Sequence, residues 1–264
     1  MRAASVTVAA FAGVLALAGP RVLAQAGAAP GGPMPKVTAG GIRVVGPGLG
    51  ENAREVSAFN ESPGTTVVLF VTAPQGAGIV ELDDDTSVLK AFTDDKGTNL
   101  LEYGRFGPFP KVTKDGSAGL IEVEVRARPA AGATSVTAQG LIGVTLATGS
   151  KPTRVANVKL EVKQTLRAGT TALTITEVTT DEDSTSITFG LPRQAMAGIR
   201  DVHFLTAQGA PIESRRTGSG YMNDAGELSY SLKTKAKVAT VEFDLWQNLR
   251  AIKAPFNVKV GLGL

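Results

Sequence analysis

The chain has 264 residues, of which 43% are hydrophobic and 19% charged, with 31 Gly, 14 Pro and no Cys. That length and apolar content suffice for one large core or two smaller ones, and the Gly and Pro favour a turn-rich all-β chain over a helical one. A formal charge of +3 with a single His leaves no nucleic-acid footprint, and the lack of Cys excludes disulfides, iron–sulfur clusters and thiolate zinc sites.

Residues 1–24 read as a secretory signal peptide. Arg2 supplies a positive start, "AASVTVAAFAGVLALAG" an apolar core, and Val22 to Ala24 a small-residue cleavage site. Pro20 and Arg21 break the apolar run before it reaches membrane-spanning length. Removing this leader takes two of the 27 basic residues and no acid, leaving 25 against 24 acids. The expected product is exported, periplasmic or extracellular, and not membrane-spanning after cleavage. Residues 25–35, "QAGAAPGGPMP", are too rich in Gly, Ala and Pro to pack and read as a flexible linker.

From residue 36 onward the hydrophobic period is two. In "GLIEVEVRA", Ile121, Val123 and Val125 alternate with Glu122, Glu124 and Arg126. "NVKLEVK", "TVEFDLW" and "FNVKVGL" repeat the pattern through Val158 and Leu160, Val241 and Phe243, and Phe256 and Val258. Each strand has one apolar and one charged face, as in antiparallel sheets with a solvated side.

Six carboxylates crowd residues 81–95: Glu81, Asp83, Asp84, Asp85, Asp94 and Asp95. Their spacing does not follow a D-x-[DN]-x-[DN]-G calcium loop. Asp83 and Asp85 share a strand face, and with Asp94 or Asp95 from a neighbouring strand end they form a candidate Ca²⁺ clasp. The alternative is a solvated edge with a hairpin turn at "FTDDKGTNL". An internal echo favours the turn: "FLTAQGAPI" aligns Phe92 with Phe204, Gly97 with Gly209 and Leu100 with Ile212, and drops both acids.

The echo continues in order. "DGSAGLIEVEV" matches "DAGELSYSL", "ATSVTA" matches "VATVEF", and "ANVKLEV" matches "FNVKVGL", as in a duplicated domain. The repeat places a boundary near Leu166, giving units 36–166 and 167–264, the first carrying the extra loop "GPGLGENAREVSAFNESPG". "DAGELSYSL" resembles the late F-strand region of immunoglobulin-like domains, with Leu228 at the corner-tyrosine position and Tyr230 at the cysteine position. The mature chain as a whole resembles tandem Ig-like or fibronectin-III-like modules of bacterial exported proteins. That resemblance implies an all-β chain of two antiparallel sandwiches and carries no catalytic motif.

The remaining candidates are sparse. Asp181, Glu182 and Asp183 read as a polar turn. His203 shares a strand face with Asp201, which could orient it for acid–base work, yet no G-x-S-x-G nucleophile accompanies it. Trp246 and Tyr221 are candidate ligand or partner contacts; for Trp246, packing against the other domain is the competing role. The sequence therefore leads to a non-catalytic exported module that binds a protein or cell-envelope partner through loops or strand edges. A glycan-binding or calcium-stabilised adhesin module is the alternative. A periplasmic chaperone is a further one, but the sequence identifies no basic anchor for a cleft between the domains.

Overall fold

Period-two alternation becomes strand pairing throughout the computed structural model, which describes residues 32–46, 63–222 and 224–263. The expected signal peptide, most of the 25–35 linker and most of the loop before residue 64 lie outside the described residues. The described chain is all-β: its sheets are antiparallel, and its one helix, α1 (Arg193–Ala197), has five residues.

The first core lies between two sheets. One has the order β1 (Lys36–Val45), β2 (Gly64–Thr72), β6 (Ala118–Val125), β4 (Arg105–Phe106), with β5 (Lys111–Val112) also on β6. The other has the order β17 (Arg250–Gly261), β7 (Ser135–Ala147), β3 (Gly78–Asp94). Val67, Leu69, Ile121 and Val123 from the first sheet meet Phe92, Val136, Ile142 and Phe256 from the second. Glu122 and Glu124 alternate with them and stay half-exposed, so the pattern seen in the sequence sets which face is buried.

The second core is built alike. One sheet runs β14 (Ser214–Met222), β15 (Ala225–Leu232), β11 (Thr185–Pro192), β10 (Thr171–Thr180), β9 (Thr165–Ala168). Facing it are β13 (Pro211–Ile212), β12 (Ile199–Leu205), β16 (Val238–Trp246) and β8 (Ser150–Lys159). Phe189 sits at the centre, with ring centroids of Phe204, Tyr230 and Phe243 at 6.3, 6.2 and 6.0 Å. Such aromatic pairs add about 0.5–1.5 kcal/mol each beyond the area they bury.

The two halves share a strand order. β1-β2-β6-β4 corresponds to β10-β11-β15-β14, and β17-β7-β3 corresponds to β8-β16-β12. The correspondence exposes a crossing. β8 follows β7 in the chain but pairs with β16 in the second half, while β17 follows β16 but returns to β7 in the first. "ANVKLEV" and "FNVKVGL" thus fill equivalent places, each in the half that the other's chain neighbours build.

One antiparallel ladder therefore runs through both halves. Its register passes from Gly261↔Ser135 through Arg250↔Leu146 and Trp246↔Ser150 to Val241↔Val155 without a shift. At the crossing, Thr148 N–H donates to the Gln247 carbonyl at 3.1 Å, and Gln247 N–H donates to the Gly149 carbonyl at 2.9 Å.

The cores do not divide at Leu166. Val158 and Leu160, expected in the first unit, belong to the second core; Ile252, Ala254, Phe256 and Val258, expected in the second unit, belong to the first. The physical reason is that alternation identifies a strand's buried face but not its neighbour. Residues from Pro33 onward form one compact unit.

Candidate functional site

The candidate calcium acids separate along β3. On β7, Asp83 pairs with Gly143 and Asp94 with Val136. Seven strand positions at about 3.4 Å each put them roughly 24 Å apart, far beyond a shared cation's reach of about 2.6 Å. Asp83 is occupied locally, accepting from the Thr86 N–H at 3.1 Å and the Thr86 hydroxyl at 2.7 Å. Asp85 is exposed near the irregular stretch between Asp83 and Val88. The four residues form no common clasp. Among the described residues, no group of three or more His, Asp or Glu side chains is arranged to hold a metal.

Asp94 and Asp95 instead cap a turn. Asp94 Oδ1 accepts from the N–H groups of Lys96 at 3.0 Å and Thr98 at 2.8 Å, and Oδ2 accepts from Ala130 N–H at 2.8 Å. These bonds, Ala130's foremost, hold its carboxyl below the usual range. Asp95 accepts from the hydroxyl and N–H of Thr134, the hydroxyl being the main reason its pKa also falls.

The echoed hairpin has the same wiring. Gly97 N–H donates to Asp94 and Gly209 N–H to Thr206, both glycines at positive φ, 85° and 83°. Thr206 Oγ1 accepts from Ala210 N–H, where Asp94 accepts from Thr98. A hydroxyl does in the second half what a carboxylate does in the first.

Asp115, in the turn between β5 and β6, is lowered to about 2 by the Ser117 N–H, then by the Thr113 and Ser117 hydroxyls. All three carboxyls have folded pKa values below their unfolded ones, so their stabilisation is present above about pH 4 and is lost as acid takes the pH through the folded values. Asp94→Asn is expected to lower the melting temperature at neutral pH and to flatten the stability loss as the pH falls below about 4. Circular dichroism melts across that range, with and without Ca²⁺, are the check. Ca²⁺ and EDTA are expected to leave the melt of the parent chain unchanged.

His203 and Asp201 do meet. Nε2 lies 3.5 Å from Asp201 Oδ2, but the imidazole is about half exposed and the carboxylate also holds Lys114 at 3.0 Å. Lys114 lies between β5 and β6, so this ion pair ties the two halves together. Asp181, Glu182 and Asp183 are exposed in the β10–β11 turn.

Trp246 and Tyr221 line the same cleft, which opens between the halves and encloses about 340 Å³. One wall is first-half β3, with Glu81, Asp84 and Asp85. The other is second-half α1, β12 and β14, with Arg193, Arg200 and Arg216. Trp246 is the seam: a Cβ on Gly78 would sit 2.7 Å from its Cη2, so only glycine lets β3 approach the ring. The Arg200 guanidinium lies 5.0 Å from the Trp246 ring centre and binds Asp244 and Ser150.

Tyr221 is 50% exposed, and the Arg193 guanidinium lies 3.9 Å from its ring centre. Glu81 is raised above its ordinary pKa by lost hydration and then by Asp83, with Arg193 pulling the other way. The three arginines are the basic residues that sequence reading did not assign to a cleft. They come from a helix turn and two strands of one sandwich, and no spacing in the chain brings them together.

Among the described residues no helix is long and apolar enough to cross a membrane. Comparison of the chain with protein-family models, curated proteins and solved structures finds no match.

Proposed function

We propose that this chain is an exported, non-catalytic interaction module: two Ig-like halves of duplicated origin, locked by a shared ladder, that capture a protein partner of the cell envelope. The observation that carries the reading is β14. It is the terminal strand of its sheet, and every residue except Gly218 is exposed. Such an edge offers a row of backbone donors and acceptors to an incoming strand. Its end adds Tyr221 and Met222, the latter 78% exposed. The corresponding strand of the first half, β4, has only two residues, one of them buried, and the other edge strand there, β1, lies against β17. Export rests on the leader-like residues 1–24. Glycan stacking on Trp246 is less well supported, because Arg200 and Gly78 already occupy the ring.

Site-specific photo-crosslinking tests this. A crosslinker at Thr217 on β14 should capture an envelope protein, and one at exposed Lys259 on β17 should not. Capture from Lys259 alone, or a robust hydrolase activity in the purified chain, would overturn the reading.

A further inference from the structure

The first-half wall of the cleft carries Glu81, Asp83, Asp84 and Asp85 together with Lys114, which Asp201 holds, and the second-half wall carries Arg193, Arg200 and Arg216, so the walls are opposite in net charge. Arg193 rests on the Tyr221 ring, and no carboxylate lies within ion-pair distance of it among the described residues. Arg200 differs, being committed to Asp244 and Ser150. Across the cleft, Glu81 feels the Arg193 charge without forming an ion pair with it. Glu81 is exposed, so both charges are open to a ligand. The register pairs of β14 place Arg216 opposite Tyr230 and Tyr221 opposite Gly226, so both side chains lie on the face of the sheet that carries the core. Arg216, Ser219 and Tyr221 on that face line the cleft.

A bare anion such as phosphate would gain from Arg193 but be repelled by Glu81 and Asp84. A bare cation meets the reverse. A ligand carrying both charges satisfies both walls, and the enclosed volume is at the small end of known ligand pockets, about 300–1,000 Å³. We propose that this cleft binds a short dipolar peptide segment, its carboxylate on Arg193 and Arg216 and its ammonium or guanidinium on Glu81 and Asp84. The inference rests on the interaction-module reading and names the chemistry of what is recognised. It also fits the open edge, because β14 supplies both that edge and part of the cleft wall.

The test uses NMR titration of the mature chain with N-acetyl-Lys-Glu-amide and versions with glycine spacers of graded length. Controls are N-acetyl-Gln-Glu-amide, N-acetyl-Lys-Gln-amide and inorganic phosphate. The dipolar peptides should shift the Arg193, Tyr221 and Trp246 signals. Arg193→Ala and Glu81→Gln should each weaken binding about tenfold or more, the scale for losing one charge-assisted hydrogen bond. Tyr221→Ala, which removes the ring beneath Arg193 and leaves the charge, should weaken it as well.

Equal binding of phosphate or the singly charged peptides, binding unchanged in Arg193→Ala, or no shift with any dipolar peptide would overturn the proposal. If crosslinking from Thr217 persists in Arg193→Ala while the peptides fail, the module reading stands and the cleft assignment alone falls.

Discussion

Ending the chain at Leu249 is expected to remove the cooperative fold of both halves, not only of the last one. The deleted strand, β17, is an edge strand, and deletion of an edge strand is often tolerated when it covers little. Here it supplies Ile252, Ala254, Phe256 and Val258 to the first core. Burying the three larger side chains contributes roughly 5–9 kcal/mol at about 1.5–3 kcal/mol each. That is comparable with the whole stability of a typical domain, about 5–15 kcal/mol. The ring contact between Phe106 and Phe256, 6.3 Å between centroids, goes with it.

The second half keeps its own strands but loses the continuation of the ladder beyond Trp246. Circular dichroism melting and limited proteolysis should show a chain without a sharp transition, and a synthetic 250–264 peptide should restore part of it. A truncated chain that melts like the parent would show that β17 is dispensable.

Phe189→Ala is expected to cost about 3–5 kcal/mol, the range for emptying a large aromatic site in a core. Phe189 is fully buried, and three other aromatic rings surround it, so the neighbours cannot collapse into the space without losing one another. Phe189→Leu, which retains most of the apolar volume, should cost less. Chemical denaturation read by Trp246 fluorescence is the measurement. Because Trp246 sits at the seam, a lowered midpoint at this reporter would also show that damage in the second core reaches the junction.

Much of the fold was legible because alternation is a local property. Ile121, Val123 and Val125 show their buried face in the sequence, and the structure buries all three. Phe92 with Leu100, and Phe204 with Ile212, mark two hairpins whose glycines the turns require. The crossing was not legible. The same alternation in "ANVKLEV" and "FNVKVGL" suits either half, and nothing within a strand says which edge it joins. The turn at Thr148 and Gly149 decides that, by carrying β7 straight on into β8 instead of folding it back.

The acids at 83–95 show a different limit. Their chemistry depends on which groups face them, and Asp94 faces three backbone N–H groups, one of them 36 residues away at Ala130. The internal echo favours a turn over a cation clasp, and the fold uses the oxygens of Asp83, Asp94 and Asp95 in that way. Trp246 and Tyr221 stood out in the sequence for their rarity. Arg193 and Arg200, which line the same cleft, did not, because ordinary surface residues acquire a role only when two sandwiches are fastened side by side.

The exchanged strands β8 and β17 are expected to fasten the two halves into one folding unit. Scanning calorimetry of residues 25–264 tests this most directly. A single transition whose calorimetric and van't Hoff enthalpies agree is the predicted result. Two resolved transitions, or a calorimetric enthalpy well above the van't Hoff value, would contradict it.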